Sequence, residues 1–466
     1  MIVPRNRLLF WTAAIVLPFA LLGAVEPGAL GVSVAFVCVF VLLVVADAFG
    51  ARRGLRGISA ELPQVARMSK DRAAKLELRL RNAAQTARQL RVGLALPEEI
   101  VSDEEALIVA LPAGSEWSHC SWPCTPRKRG NYALDAVYLE SNSLLGFWAG
   151  RKQVAVKSVV RVYPNLLTER KNLAALFMNR GSFGIHAQRQ VGKGRDFEKL
   201  REYVPGDSFD EVHWKATARR GKPVTKVFQV ERTQEVYVVV DTSRLSAREV
   251  EGCKLKVAGS VVGSVAENLQ PATCNVQPES VLERFVTAAL VLGLAAEKQG
   301  DHFGLITFSD SVGKFVRAKN GKAHYSACRD ALYTLQPRIV SPDFDELCTF
   351  IRLRLRRRAL LIFLTALDDP LLADSFVRNM DIIRGQHLVL VNMLQPPGAV
   401  PVFTNPNLAT VDELYQHLGG HLQWQRLREL GKVLQRRGVK FATLEDERLS
   451  VDIVSQYLGV KQRQQL

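Results

Sequence analysis

Two uncharged apolar runs open the chain, Leu8–Val25 and Gly28–Ala46. Each holds about 18–19 residues, close to the ~20 that a helix needs to cross a bilayer core of about 30 Å. Only Glu26 and Pro27 separate them, so the pattern predicts a transmembrane helical hairpin over residues 1–56. Arg5 and Arg7 precede the first run, and Arg52, Arg53 and Arg56 follow the second. Lys and Arg are retained on the cytoplasmic side. The expectation is a multi-pass protein of the cell membrane with its soluble domains in the cytoplasm. A signal peptide is the alternative for the first run, with Ala24 near a cleavage point.

Past the hairpin the period changes to two. Lys75–Arg81 alternates strictly, which predicts a half-buried strand. Leu90–Leu96, Ala106–Leu111, Tyr132–Leu139 and Val154–Tyr163 are further strand candidates, punctuated by Gly, Pro and Asn. Short strands at this spacing predict a β-sandwich-like module over residues 57–165. From residue 233 to 466 the pattern changes again. Apolar runs at Val236–Val240, Phe303–Phe308, Leu360–Thr365, His387–Met393 and Val439–Ala442 alternate with helical stretches. Those stretches are Val281–Gln299, Ala323–Leu335, Phe344–Arg357 and Val411–Arg437. Continuous apolar strands covered by helices predict an α/β, doubly wound, mostly parallel sheet. Ligands of such sheets sit at the carboxyl ends of the strands. The rule directs attention to the loops after Val240, Phe308 and Thr365.

Charge adds little to this picture. The net charge is +16, but bases and acids are mixed along the chain. The densest basic run, Arg352, Arg354, Arg356, Arg357 and Arg358, reads as a solvated helix face. Its alternative is contact with anionic lipid headgroups. No nucleic-acid-binding motif accompanies the charge. Seven cysteines without regular spacing argue against a disulfide framework and read as reduced thiols; Cys120 and Cys124 alone have a metal-like gap, with no second ligand pair.

The loop after the first α/β strand holds Asp241, Thr242, Ser243 and Ser246, and Asp368 and Asp369 follow the third. Carboxylates and hydroxyls at the mouth of a sheet suit Mg²⁺, a hard ion that takes oxygen ligands. The spacing alone favours a plainer reading, in which Asp241 caps the next helix and Asp368 makes a turn.

With Gly304–Asp310 and Leu360–Asp369, the Asp241 loop resembles a von Willebrand factor A domain. The resemblance implies a metal-ion-dependent adhesion site of the form Asp-x-Ser-x-Ser, completed by a later Thr and Asp. Asp241 and Ser243 match, Asp368 or Asp369 is a loose match to the later Asp, and the Thr has no clear counterpart; Ser341 and Asp343 lie in its region. Leu245 stands where the second Ser belongs, which removes one ligand of the implied Mg²⁺.

The stretch Gly194–Glu231 resembles the signature of the bacterial family called domain of unknown function 58. That signature is similar to G-x-x-F-x-x-L-R-x-Y-x-x-G-D-x-x-x-x-I-x-W-K-x-x-A-R. Gly194, Phe197, Leu200, Arg201, Tyr203, Gly206, Asp207, Trp214, Lys215, Ala218 and Arg219 match it. Val212 stands for the Ile, and His213 fills a position that is often Asp. An extra segment, about Ala247 to Ser280, departs from the family layout. The family resemblance implies two membrane helices, a β-rich segment, a signature linker over residues 166–232, a von Willebrand A-like domain, and a partner of the MoxR-type AAA+ ATPase class. The signature's mixed charges suit a paired network pinning a linker, with Trp214 buried as its anchor. They equally suit a docking face on which Arg201, Tyr203, Asp207, Trp214, Lys215 and Arg219 meet a partner.

Catalytic motifs are missing. Gly192-Lys193-Gly194 lacks phosphate-loop spacing, His417 and His421 lack the Glu of a zinc protease, and no Gly-x-Ser-x-Gly elbow occurs. The expectation is therefore a non-enzymatic, membrane-anchored interaction protein. The alternatives are a cell-envelope hydrolase with an unrecognised site, or an exported adhesin.

Overall fold

The computed structural model describes residues 1–25, 27–179, 191–204, 209–229, 234–250, 279–402 and 411–463. The chain divides into two compact units, Met1–Asn165 and Leu166–Leu466.

The first unit starts with strand β1 (Ile2–Pro4), helix α1 (Asn6–Val25) and helix α2 (Leu30–Gly54). The two helices touch, and the rings of Phe19 and Phe36 stack with centroids 4.8 Å apart. By length and composition α2 can cross a membrane; α1 contributes a shorter apolar stretch, Asn6–Leu22. Two full-length spans were expected, and among the described residues one helix qualifies.

Nine strands follow: β2 (Ile58–Glu61), β3 (Val65–Ser69), β4 (Ala74–Asn82), β5 (Arg88–Leu94), β6 (Ile100–Val101), β7 (Leu107–Leu111), β8 (Trp117–Pro126), β9 (Gly130–Asn142) and β10 (Trp148–Tyr163). They form one sheet in the order β1-β10-β9-β5-β7, with β3 also on β10, and a second in the order β2-β4-β8-β6. Alternation decides what each buries. Leu76, Leu78 and Leu80 of β4 share one core with Leu90, Val92, Leu139 and Val160 of the other sheet.

The end of α2 is tied to this module. Asp47 lies one residue beyond the apolar run, and a lone carboxylate there would be costly in hydrocarbon. Instead it accepts from Ser143 Oγ (2.5 Å), Leu145 N (3.1 Å) and Phe147 N (3.2 Å). Trp148 Nε1 donates to the Val44 carbonyl (3.0 Å). At Gly150 a Cβ would come within 2.6 Å of the Ala51 carbonyl oxygen, so only glycine lets the helix lie this close to β10.

The second unit begins with α3 (Leu167–Asn179), β11 (Val191–Glu202), α4 (Trp214–Arg220), β12 (Val224–Gln229) and β13 (Glu235–Asp241). Then come β14 (Glu249–Val250), β15 (Glu279–Ser280), α5 (Val281–Lys298), β16 (His302–Phe308), β17 (Val312–Lys319), α6 (Lys322–Leu332), α7 (Phe344–Arg354) and β18 (Leu360–Leu364). The chain continues with α8 (Pro370–Ile383), β19 (Leu388–Leu394), α9 (Val411–Arg436), β20 (Lys440–Leu444) and α10 (Leu449–Gln462). The central sheet has the order β17-β16-β13-β18-β19-β20. Its strands are parallel except β17, an antiparallel edge. Val236, Val238 and Val240 of β13 face one core with α5 and α10; Tyr237 and Val239 face another with α7 and α8. Burial on both faces is why these strands read as unbroken apolar runs.

The five apolar runs are all strands here. β17, α8 and α10 were not expected. α8 follows Asp369, which caps it by accepting from Leu371 N (3.0 Å), with Pro370 in the first turn. Pro there needs no N–H donor and has the right φ. The Arg352–Arg358 run is exposed around the buried Leu355, as a solvated end of α7. The five described cysteines are free thiols.

His387, just before β19, is only 4% exposed, and neither ring nitrogen has a partner among the described residues. Burial holds its imidazole below the ordinary range. A base depressed by folding contributes stability above its unfolded pKa, about 6.5, and that contribution is lost as pH falls through the folded value. The second unit is therefore expected to lose about 1 kcal/mol more on going from pH 7 to 5 than a His387→Leu variant does. Urea unfolding at both pH values measures this; equal losses would refute it.

Candidate functional site

Asp241 ends β13, and its side chain folds back on the strand ends. Oδ1 accepts from Ser243 N (2.8 Å), and Oδ2 accepts from Thr365 Oγ1 (2.6 Å). The parallel register pairs Val240 with Leu364, so the next residues, Asp241 and Thr365, come level. Asp241, Ser243 and Thr365 are fully buried. Burial pushes the Asp241 carboxyl up, opposed by its hydrogen bonds to Ser243 and Thr365.

Asp241 therefore closes a turn rather than capping a helix. The cap is Ser243, whose Oγ accepts from Leu245 N (3.3 Å) at the start of a single 3-10 turn, Arg244–Ala247. Asp369 caps the helix after β18. Thr365 is the hydroxyl that meets Asp241, and sequence reasoning missed it as a site residue. Its signal was a Thr at the end of the strand parallel to β13.

Arginines line the rim of this edge. Arg248 pairs with Asp368, Arg244 lies 3.8 Å from Asp369, and Arg338 lies 3.5 Å from Asp310. The Ser309 hydroxyl, ahead of Arg338, holds Asp310 low. The segment before α7 laces the loops together. Arg338 N donates to the Thr242 carbonyl (2.7 Å), Arg244 N to that of Val340 (3.0 Å) and Asp343 N to that of Ser309 (2.9 Å). Asp343 caps α7 through Asp345 N and Glu346 N, and Ser341 is exposed.

Mg²⁺ needs near-octahedral oxygen donors, and the residues present do not fit it. Leu245 is 2% exposed in the second Ser position. The Ser246 hydroxyl donates to the Ser243 carbonyl (2.9 Å). Asp368, the third expected donor beside Asp241 and Ser243, has its Oδ2 engaged by Arg248, while its Oδ1 is buried without a partner among the described residues. Among the described residues no cluster of three or more His, Cys, Asp or Glu side chains could hold a metal.

The signature stretch forms a small separate platform. β11 pairs antiparallel with β12, with Arg201 opposite Thr225, and Tyr203 N donates to the Pro223 carbonyl (3.0 Å). His213 caps α4, its Nδ1 accepting from Ala216 N (3.0 Å). An acceptor is what an N-cap requires. Gly221 ends α4 at φ 66°, a left-handed conformation that glycine adopts without strain. Thr217 Oγ1 accepts from Val224 N (3.1 Å) and ties α4 to β12.

Trp214 is not the buried anchor that the sequence suggested: it is 68% exposed, and no residue of α4 is buried. A seven-residue helix held by its two caps and Thr217 does not need the indole underneath it. Phe209 is 74% exposed beside Tyr203, with ring centroids 6.2 Å apart. Lys215 and Arg219 are exposed, and Arg201 is half-buried. Asp207 lies outside the described residues. The Ala247–Ser280 insertion leaves and re-enters through the two-residue ladder of β14 and β15, Glu249 opposite Ser280; its interior, 251–278, is likewise outside.

This region is the one that comparison with known proteins picks out. The match is to the family described as protein of unknown function DUF58, over residues 199–272 and 273–399. It begins in the signature platform and runs through the Asp241 rim. A curated relative, uncharacterized protein YeaD of Bacillus subtilis (strain 168), is 35% identical over 69 residues. That is 15% of this chain and 17% of the relative's length. Two of the solved structures that match are the following. Conserved hypothetical protein BatB from Bacteroides thetaiotaomicron is 15% identical, over 49% of this chain and 98% of its own, with a TM-score of 0.26. Proximal thread matrix protein 1 from the mussel byssus is 11% identical, over 48% and 44%, with a TM-score of 0.25. At those TM-scores neither bears on the fold or the function.

Proposed function

We propose that this chain is a membrane-anchored, non-enzymatic interaction protein that works with a MoxR-type AAA+ ATPase. Its central domain is von Willebrand A-like, and the signature platform is its docking face. The observation that carries this reading is the exposure of Phe209, Trp214, Lys215 and Arg219 in the signature stretch. Large apolar rings normally find cover, and exposed aromatics among cations are typical interface anchors. The α1–α2 pair is the membrane hairpin, with Arg5, Arg7, Arg52, Arg53 and Arg56 keeping both ends, and hence both soluble units, in the cytoplasm. The Asp241 rim supports the domain as a hydrogen-bonded clasp closed by arginines in place of a metal.

The test is capture from native membranes with the full-length chain. A Trp214→Ala, Arg219→Glu double variant is expected to reduce recovery of the ATPase by about 30-fold or more, the size of a lost hot spot. Its thermal unfolding should match the parent, because both side chains are exposed. Unchanged ATPase recovery with a folded variant would refute the docking face.

A further inference from the structure

The sheet has an open edge, and the edge is walled. Among the described residues β20 pairs with β19 on one side only. Beyond it lies a groove of about 1100 Å³ between α9 and α10. Gln395 N donates to the Leu444 carbonyl (2.9 Å), so Leu444, and by alternation Ala442 and Lys440, direct their backbone groups toward β19. Phe441 and Thr443 then direct theirs into the groove. An edge strand with unpaired N–H and C=O groups is a template for a further strand, and the five residues of β20 offer about 17 Å of it.

The walls specify charge. Arg428, Lys432, Lys440 and Arg463 line the groove, with Trp424 and Gln456 between them. No carboxylate lines it among the described residues. Arg428 stacks over the Trp424 ring at 5.3 Å, which holds its guanidinium in the wall. The same cations oppose a second copy of this chain, because two such edges brought together would face like charge.

We propose that this groove binds an extended acidic segment of a partner protein, which adds to β20 as a seventh strand of the sheet. Backbone bonds to Phe441 and Thr443 give the segment its register, and Arg428, Lys432 and Arg463 select its carboxylates. The site is separate from the signature platform and stands or falls independently of it.

The test uses the full-length chain in lipid nanodiscs and a fluorescein-labelled octapeptide of alternating Glu and Val. Polarisation is expected to show saturable binding that falls with salt. The Lys-Val octapeptide should bind at least about tenfold more weakly. N-methylating one alternate set of peptide nitrogens should abolish binding, and methylating the other set should not. Thr443→Pro removes one N–H that faces the groove, at an edge position where proline is tolerated, and should weaken binding by about tenfold. If that variant does not fold, Arg428→Gln with Lys432→Gln gives the same readout through charge. Absence of binding, equal binding of the Lys-Val peptide, or indifference to both methylated sets would each overturn the proposal. A shift to twice the mass without peptide would assign the edge to a second copy and overturn it too.

Discussion

Asp301→Ala is expected to destabilise the second unit by about 3–5 kcal/mol. Asp301 is fully buried just before β16 and ties the start of β13 to α10. Its Oδ1 accepts from Gln234 N (3.2 Å) ahead of β13. Its Oδ2 accepts from the Tyr457 hydroxyl and from Lys461 Nζ (2.8 Å), both on α10. Burial, reinforced by Asp301, pushes the Tyr457 phenol up, so it stays a donor. Removing the carboxylate leaves a half-buried ammonium and a buried hydroxyl without their acceptor, which is why the loss exceeds that of an ordinary ion pair. Asp301→Asn keeps the shape and should lose less. The effect belongs to one unit, so it should appear as a shift in one of two urea transitions. A loss below about 1 kcal/mol would show that α10 is held by its apolar contacts alone.

Asp241→Ala is expected to cost about 3 kcal/mol, because it strands the buried Ser243 N–H and the Thr365 hydroxyl together. Asp241→Asn separates structure from charge. The amide still accepts from Ser243 N and can donate to Thr365 Oγ1. Folding raises the Asp241 pKa, chiefly by burial, so its contribution is present below the unfolded carboxylate range and is lost as pH rises. A side chain that is neutral at every pH escapes that loss. Asp241→Asn is therefore expected to gain about 1 kcal/mol at pH 7 relative to the parent. Millimolar Mg²⁺ should move the melting temperature of neither protein. A parent stabilised by Mg²⁺ would restore the carboxylate as a metal ligand, and a destabilised Asn variant would show that the site needs the carboxylate to accept from Thr365. The coupling to Thr365 should appear in a double-mutant cycle with Thr365→Val.

Much of the second unit was legible because burial on both faces forces its strands to be apolar throughout. Val236–Val240 and Leu360–Leu364 could hardly be read as anything else. β17 escaped notice because it is a half-exposed edge strand, VGKFVRAK, whose polar residues face water. α8 escaped because Asp368, Asp369 and Pro370 look like a turn, and only the Asp369 cap reveals a helix start. Asp241 and Ser243 stood out as a motif, but Thr365 could not be matched to them, being more than a hundred residues away. Strand register, set by main-chain pairing, brings it level.

The signature stretch shows the same division from the other side. Its residue types announced a family pattern and a choice between anchor and docking face. Sequence cannot say whether an indole points in or out, because that depends on what stands beneath it. α4 is held by His213, Gly221 and Thr217, and this leaves Trp214 outward.

By itself, the sequence determined the apolar helical start, the period-two module and the alternating α/β unit, because solvent exclusion imposes those periods on any chain that folds. Only the tertiary structure decided that Asp47 is tied to the loop after β9, that arginines close the Asp241 rim, and that β20 leaves a basic groove open. Each of these depends on side chains from distant segments meeting at hydrogen-bonding distance, and spacing along the chain carries no record of that.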